Sequence, residues 1–369
     1  MVPELKILPR RILEIMLVLL IAATCLQCSA LSYYGQAIGG QMEILRKRQP
    51  ISKMVEDPDT PDALRKKLQF ILAVRSFAEQ KLQLSANDNY LSYVALDRPY
   101  VVWNVFAAPE FSLTPKTWCF PIVGCVSYRG YFAEAQAQRF GDALAQEGYD
   151  VFIGGATAYS TLGWFDDPVL STFLSLSEPD IAALIFHELA HGILYVKDDT
   201  AFNESFATTV EQEGLRRWQA AAHDPGSYEK WLHKQQQYGM FTALISKYRT
   251  QLDALYESNL SAGAKRTQKA VLFDQMRTEF NNLKSAYASM AAYDVWFDHP
   301  INNAQIISVS AYHDWVPAFS RILYESGGDL TKFYQKCRDL AEIEASQRNQ
   351  ILAQYVKNAP RVPAVESHK

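Results

Sequence analysis

The chain has 369 residues, 49% of them hydrophobic and 12% aromatic, with a formal net charge of -4. That balance supports a packed core of one or two domains and excludes a disordered or fibrous chain. No basic run and no basic-aromatic interleaving is present, so a nucleic-acid partner is set aside.

In chain order, Lys6, Arg10 and Arg11 precede an apolar run from Ile15 to Leu26, with Glu14 at its edge. The run is shorter than the ~20 apolar residues a spanning helix needs. It reads as the core of a secretory signal over residues 1–28, its positive flank keeping the start inside the cell. The segment resembles a bacterial lipoprotein signal. Cys28 is the preferred lipidated residue, because polar-aromatic sequence starts there, and Cys25 is the alternative. An uncleaved N-terminal anchor is the other reading. Both attach the chain to the membrane through its N-terminus and put residues 29–369 on the periplasmic side.

Residues 29–60 read as mixed. Asp62 to Leu84 has helical period, with Leu64, Leu68, Ile71, Leu72, Val74 and Phe77 recurring at three and four. Tyr100 to Ala107 reads as a strand and Val123 to Phe132 as a second. Phe132 to Glu147 reads as a helix and Tyr149 to Gly154 as a third strand. An aromatic, Gly-containing loop follows, ending in Asp166, Asp167 and Pro168. From Ser177 onward the pattern is helical. Ser177 and Asp180 stand in capping-box positions, and Thr200 is placed to cap the next helix. Long helical patterns cover Tyr228–Leu255 and Thr267–Met290, and Gly327-Gly328 separates two more. In Trp118-Cys-Phe-Pro-Ile-Val-Gly-Cys125, the two cysteines can close a small loop in an oxidising compartment, with Pro121 and Gly124 favouring the turn. A metal site there lacks further ligands at useful spacing. Cys337 sits in a helical pattern and reads as a buried thiol.

The chemistry concentrates in Ile185-Phe-His-Glu-Leu-Ala-His191. Two of the chain's seven histidines, His187 and His191, share a helical face at i and i+4 and can hold one metal. Glu188 lies beside them, where a general base for an activated water belongs. A catalytic zinc needs a third protein ligand, and Glu204 follows after room for a turn and the start of a second helix. The motif is flanked by Ile181, Leu184, Ile185, Leu189, Ile193 and Leu194. Two histidines and a carboxylate on a helix so apolar are costly without a partner, and a metal removes that cost. One zinc per chain is expected from the ligand types, with cobalt or manganese fitting the same set.

Phe-His-Glu-Leu-Ala-His followed by Phe-Asn-Glu-Ser-Phe-Ala resembles the gluzincin clan of metallopeptidases, whose third zinc ligand is a Glu. The Asn-Glu-x-x-Ala form is similar to that of a zinc aminopeptidase family in that clan, although the spacing here is shorter. This likeness spans His187 to Ala207. A wider resemblance runs through residues 104–113, 118–132, 159–169 and the motif itself. It is to the bacterial family called "Putative aminopeptidase", and implies a zincin-like fold, zinc and peptide hydrolysis.

The resemblance also implies an oxyanion-stabilising Tyr or His well downstream of the third ligand. Tyr312 is the candidate and His313 the alternative. Val123–Tyr131 can serve as the edge along which a peptide substrate pairs, with Arg129 meeting a carboxylate. A substrate amine needs an anionic partner, for which Glu110, Asp166 and Asp167 are candidates. Thr208, one turn past Glu204, is placed to hydrogen-bond that ligand.

The expected fold is α+β and predominantly helical, with a small mixed sheet ahead of the motif helix. The sheet-containing part covers 95–176 and the helical part 177–358, in one catalytic unit. The expected function is zinc-dependent peptide hydrolysis, as an aminopeptidase, at the cell envelope. The rival readings are a non-catalytic envelope interaction or assembly protein on a zincin-like fold, and a structural zinc module.

Overall fold

The computed structural model describes residues 32–120, 124–158, 166–222, 225–310 and 315–357. The apolar N-terminal run, Cys25, Cys28, Tyr312 and His313 lie outside them. The chain divides into two compact units, Met1–Arg48 and Gln49–Lys369. The described part of the first is a single helix, α1 (32–47). No helix among the described residues is long and apolar enough to cross a membrane.

The second unit opens with β1 (Gln49–Pro50), α2 (Ile51–Glu56) and α3 (Asp62–Leu82). Next come β2 (Ser92–Val94), β3 (Val102–Pro109), β4 (Trp118–Phe120), β5 (Gly124–Val126) and β6 (Tyr128–Tyr131). Then follow α4 (Glu134–Gln146), β7 (Tyr149–Ala156) and β8 (Val169–Leu170). The rest is helical: α5 (Glu178–His191), α6 (Thr200–Ala222), α7 (Pro225–Glu257), α8 (Ala262–Ala286), α9 (Asp294–Phe297), α10 (Asn303–Ser310), α11 (Val316–Glu325), α12 (Leu330–Ala341) and α13 (Ala345–Lys357).

Instead of one mixed sheet, the described residues form three small ones. β2 pairs antiparallel with β1 and parallel with β8, β3 pairs antiparallel with both β6 and β7, and β4 pairs with β5. The single strand expected over Val123–Phe132 is two. A Cys119–Cys125 disulfide holds β5 against β4, so β6 alone is left to pair with β3 and the chain bends at Ser127 between them. Residues 32–60, expected to be mixed, are mostly helical.

Among the described residues, two apolar groupings follow from the helix patterns. α7, α8 and α10 close around Phe241, Leu244, Ile245, Leu252, Phe280 and Ile306, with Ala108 from the end of β3 and Leu113 from the loop after it. The second core packs α6 against α11 and α12: Phe206 meets Phe319, Phe333 and Tyr334 at ring separations of 5.8–6.1 Å. Each such buried aromatic contributes on the order of 2 kcal/mol. Gly327 and Gly328, at φ +67 and +72, make the turn between α11 and α12 that other residues resist.

α6 also lies close on α3 and α5. A Cβ on Gly214 would stand 2.8 Å from both Leu82 Cδ1 and Phe186 Cδ2. Gly214→Ala should therefore destabilise the chain by about 1–3 kcal/mol in chemical denaturation, despite the better helix propensity of Ala. An unchanged midpoint would show that the helix contact is loose.

Candidate metal centre

α5 begins where Ser177 Oγ accepts the Asp180 N–H (3.4 Å) and donates to Asp180 Oδ2 (2.7 Å). It buries Ile181, Ala182, Ile185, Phe186, Leu189 and Ala190. His187, Glu188 and His191 are mostly buried but keep some exposure, withdrawn from bulk water yet reachable. The helix stops at Gly192, and a loop returns the chain to α6.

The cap of α6 differs from the expected one. Asp199, not Thr200, caps it, with Asp199 Oδ1 accepting the Phe202 N–H at 3.0 Å. Both residue types cap well and they are adjacent, so pattern alone could not separate them. Asp199 also pairs with Arg348 of α13. Asn203, nearly fully buried, clamps the loop: its Oδ1 accepts the Val196 N–H and its Nδ2 donates to the Val196 carbonyl, both at 2.7 Å. The Asn of Asn-Glu thus sets where the following carboxylate stands.

That carboxylate reaches both histidines. His187 Nε2 is 3.2 Å from Glu204 Oε2, and His191 Nε2 is 3.7 Å from Glu204 Oε1. One ligand atom from each of the three residues lies within 4.8 Å of the others. A tetrahedral zinc with bonds near 2.1 Å separates its ligand atoms by about 3.4 Å, so this donor set fits the ion. Glu204 therefore closes the expected triad with His187 and His191.

Sequence reasoning missed Glu211. Its Oε2 lies 3.0 Å from His187 Nδ1. Both ring nitrogens face carboxylates, so in the metal-free chain the ring can donate from both; a metal taking the place of the Nε2 proton would leave Nδ1–H on Glu211 to orient the ring. Seven residues are two helical turns less about 20°, so Glu211 stands on the same stripe as Glu204; that carboxylate pair at i and i+7 was the available signal. Thr208 does not take the role expected of it: its buried Oγ1 has no hydrogen-bond partner among the described residues. Glu211→Ala should lower metal affinity about 10–100-fold, measured by competition with a chelator. An unchanged affinity would remove Glu211 from the site.

The electrostatics are uneven. Burial pushes Glu188 from 4.5 up to about 7, reinforced by Glu204, Asp167 and Glu211 and opposed by His187. Burial and the neighbouring His187 push His191 down to about 4. Burial acts against charge on His187 too, but its hydrogen bonds to Glu204 and Glu211 outweigh it and hold the ring well above the usual histidine range.

The remaining expected residues scatter. Asp167 is buried and acts on Glu188, whereas Asp166 is exposed. The Asp167 carbonyl accepts the Tyr90 N–H at 2.7 Å, and its own N–H donates to Asn89 Oδ1 at 2.6 Å. Tyr90, also missed, is buried where Glu188 and Asp167 reinforce the effect of burial in raising its pKa. Glu110 is held by Arg266 of α8 through two contacts of 2.5 and 2.8 Å rather than reserved for an amine. The Arg129 guanidinium lies 4.6 Å from the centre of the Phe140 ring, on the β6 strand that flanks β3.

No curated protein and no solved structure matches the chain. One family model does, over residues 32–352, a span that includes the three ligand candidates, Glu188 and Glu211. By that match the chain belongs to the family described as "Putative aminopeptidase".

Proposed function

We propose that the chain is a zinc-dependent peptidase with a zincin-like fold, acting as an aminopeptidase. The observation that carries this reading is the convergence of His187, His191 and Glu204 to within 4.8 Å, with a carboxyl held at about 7 on the adjacent residue. Zinc, when bound, supplies Lewis acidity and lowers the pKa of water.

The chain's own residues do the rest. Glu188, poised near neutrality, can take a proton from water and return it to a leaving amine. Glu211 fixes the tautomer of His187, and Asn203 fixes the loop that delivers Glu204. Cobalt or manganese suits the same donors. Peptides are the proposed substrates, and the periplasmic side of the envelope, with attachment through the N-terminus, is the proposed location. The Cys119–Cys125 disulfide supports an oxidising compartment.

Zinc-loaded protein should cleave peptides with a free N-terminus and leave N-acetylated copies intact, read by mass spectrometry. Equal cleavage of both would make it an endopeptidase. No cleavage of any peptide by protein carrying a full complement of zinc would overturn the enzymatic reading.

A further inference from the structure

The loop between His191 and Glu204 is held from outside by the β4–β5 hairpin. Asp198 Oδ1 accepts the Cys125 N–H at 3.1 Å. Asp198 itself sits at φ +63, a left-handed backbone that non-glycine residues adopt at some cost. Gly124 meets it at φ +77, where a Cβ would run into Asp198 Oδ1 and approach Lys197 Cε to 3.2 Å. The two turns therefore interlock, and only glycine fits at the contact. Asp198 stands between Val196, which Asn203 clamps, and Asp199, which caps α6, so the contact acts on the turn that leads to Glu204.

The hairpin cannot hold this position on strand pairing alone. β4 and β5 share three residue pairs, and an isolated two-stranded ribbon is marginal in water. The disulfide joins the central pair, Cys119 with Cys125. Both cysteines are exposed, so a reductant can reach them.

We infer that Asp198 is a positioning residue for the metal centre, and that the Cys119–Cys125 hairpin, through it, sets the loop that presents Glu204. Opening the disulfide frees the Cys125 N–H from Asp198 and lets the left-handed turn relax. Asn203 and Asp199 still secure the start of α6, so the effect is a graded loss of metal affinity rather than its abolition. The affinity part of this inference rests on the zinc reading above; the tether itself does not.

The full chain is compared before and after treatment with a phosphine. The disulfide gains two electrons and two protons to give two thiols, and the phosphine becomes its oxide with oxygen from water. In metal-free protein, amide exchange over residues 195–203 should quicken about threefold or more on reduction. In a chelator competition, zinc affinity should fall about 5–10-fold. Asp198→Ala should show both changes already in the oxidised state, with reduction adding nothing further. Asp198→Asn keeps an acceptor oxygen and tolerates the left-handed backbone, so it should restore the wild-type response.

Unchanged exchange on reduction would overturn the tether. Faster exchange with unchanged zinc affinity, or an effect of reduction that persists in Asp198→Ala, would overturn the positioning role. A chain that binds no zinc in either redox state would sink the zinc reading and the positioning role together. The exchange data would still decide whether the hairpin holds the loop.

Discussion

Glu188→Gln should leave about one zinc per chain in place and lower peptide turnover by about 10²–10⁴-fold, since the amide cannot take the proton. The same substitution has a second, opposite effect. A buried carboxyl raised from 4.5 to about 7 keeps a proton in the folded chain that the unfolded chain releases across that window. Stability of the metal-free protein therefore falls as pH rises from 4.5 to 7, and the deficit is complete above 7. Gln removes it. Metal-free Glu188→Gln should be more stable than the parent at pH 8, on the order of 2–3 kcal/mol, and no more stable at pH 4. Loss of zinc from the variant would make Glu188 a ligand instead of a base. Equal stability at pH 8 would mean that its carboxyl is solvated.

His187→Ala should abolish stoichiometric metal binding, lowering affinity by well over the ~100-fold expected for an orienting residue such as Glu211. It removes one of three donors and leaves Glu204 and Glu211 facing each other without a cation between them. Elemental analysis of purified parent and variant reads this directly. About one zinc in the parent and none in the variant is the expected result. Equal metal in both would place the ion elsewhere. His191→Ala and Glu204→Ala should behave alike, because each holds a single donor to the same point.

The centre was legible in the sequence as far as it is local. His187, Glu188 and His191 follow from helical period, and Glu204 from the short return of the chain. Asn203 stood in the same motif, but its clamp on Val196 depends on a loop conformation that period does not specify. Glu211 was within reach of the i, i+7 rule. Tyr90 was not, and Asp167 was named only as a partner for a substrate amine, its place beside Glu188 being hidden: the backbone bond between the two joins segments 77 positions apart and depends on β2 lying parallel to β8. The fate of Glu110 was equally hidden, because Arg266 arrives from 156 residues away. The strand over Val123–Phe132 was misread for a related reason. Its valines and aromatics favour a strand on either side of Ser127, and the choice of partners, β4 for one half and β3 for the other, divides them.

The imidazole and carboxylate groups of the centre all fall between His187 and Glu211, on two successive helices joined by one turn. In folding terms this is a region of low contact order, and such contacts form early because little chain must be immobilised to make them. The donor set is thus carried by one helical hairpin, α5 and α6, with the Asp198 contact to Cys125 acting on the turn between them. The electrical surroundings that tune Glu188 depend instead on long-range pairings, Tyr90 on Asp167 among them, whose closure immobilises far more chain.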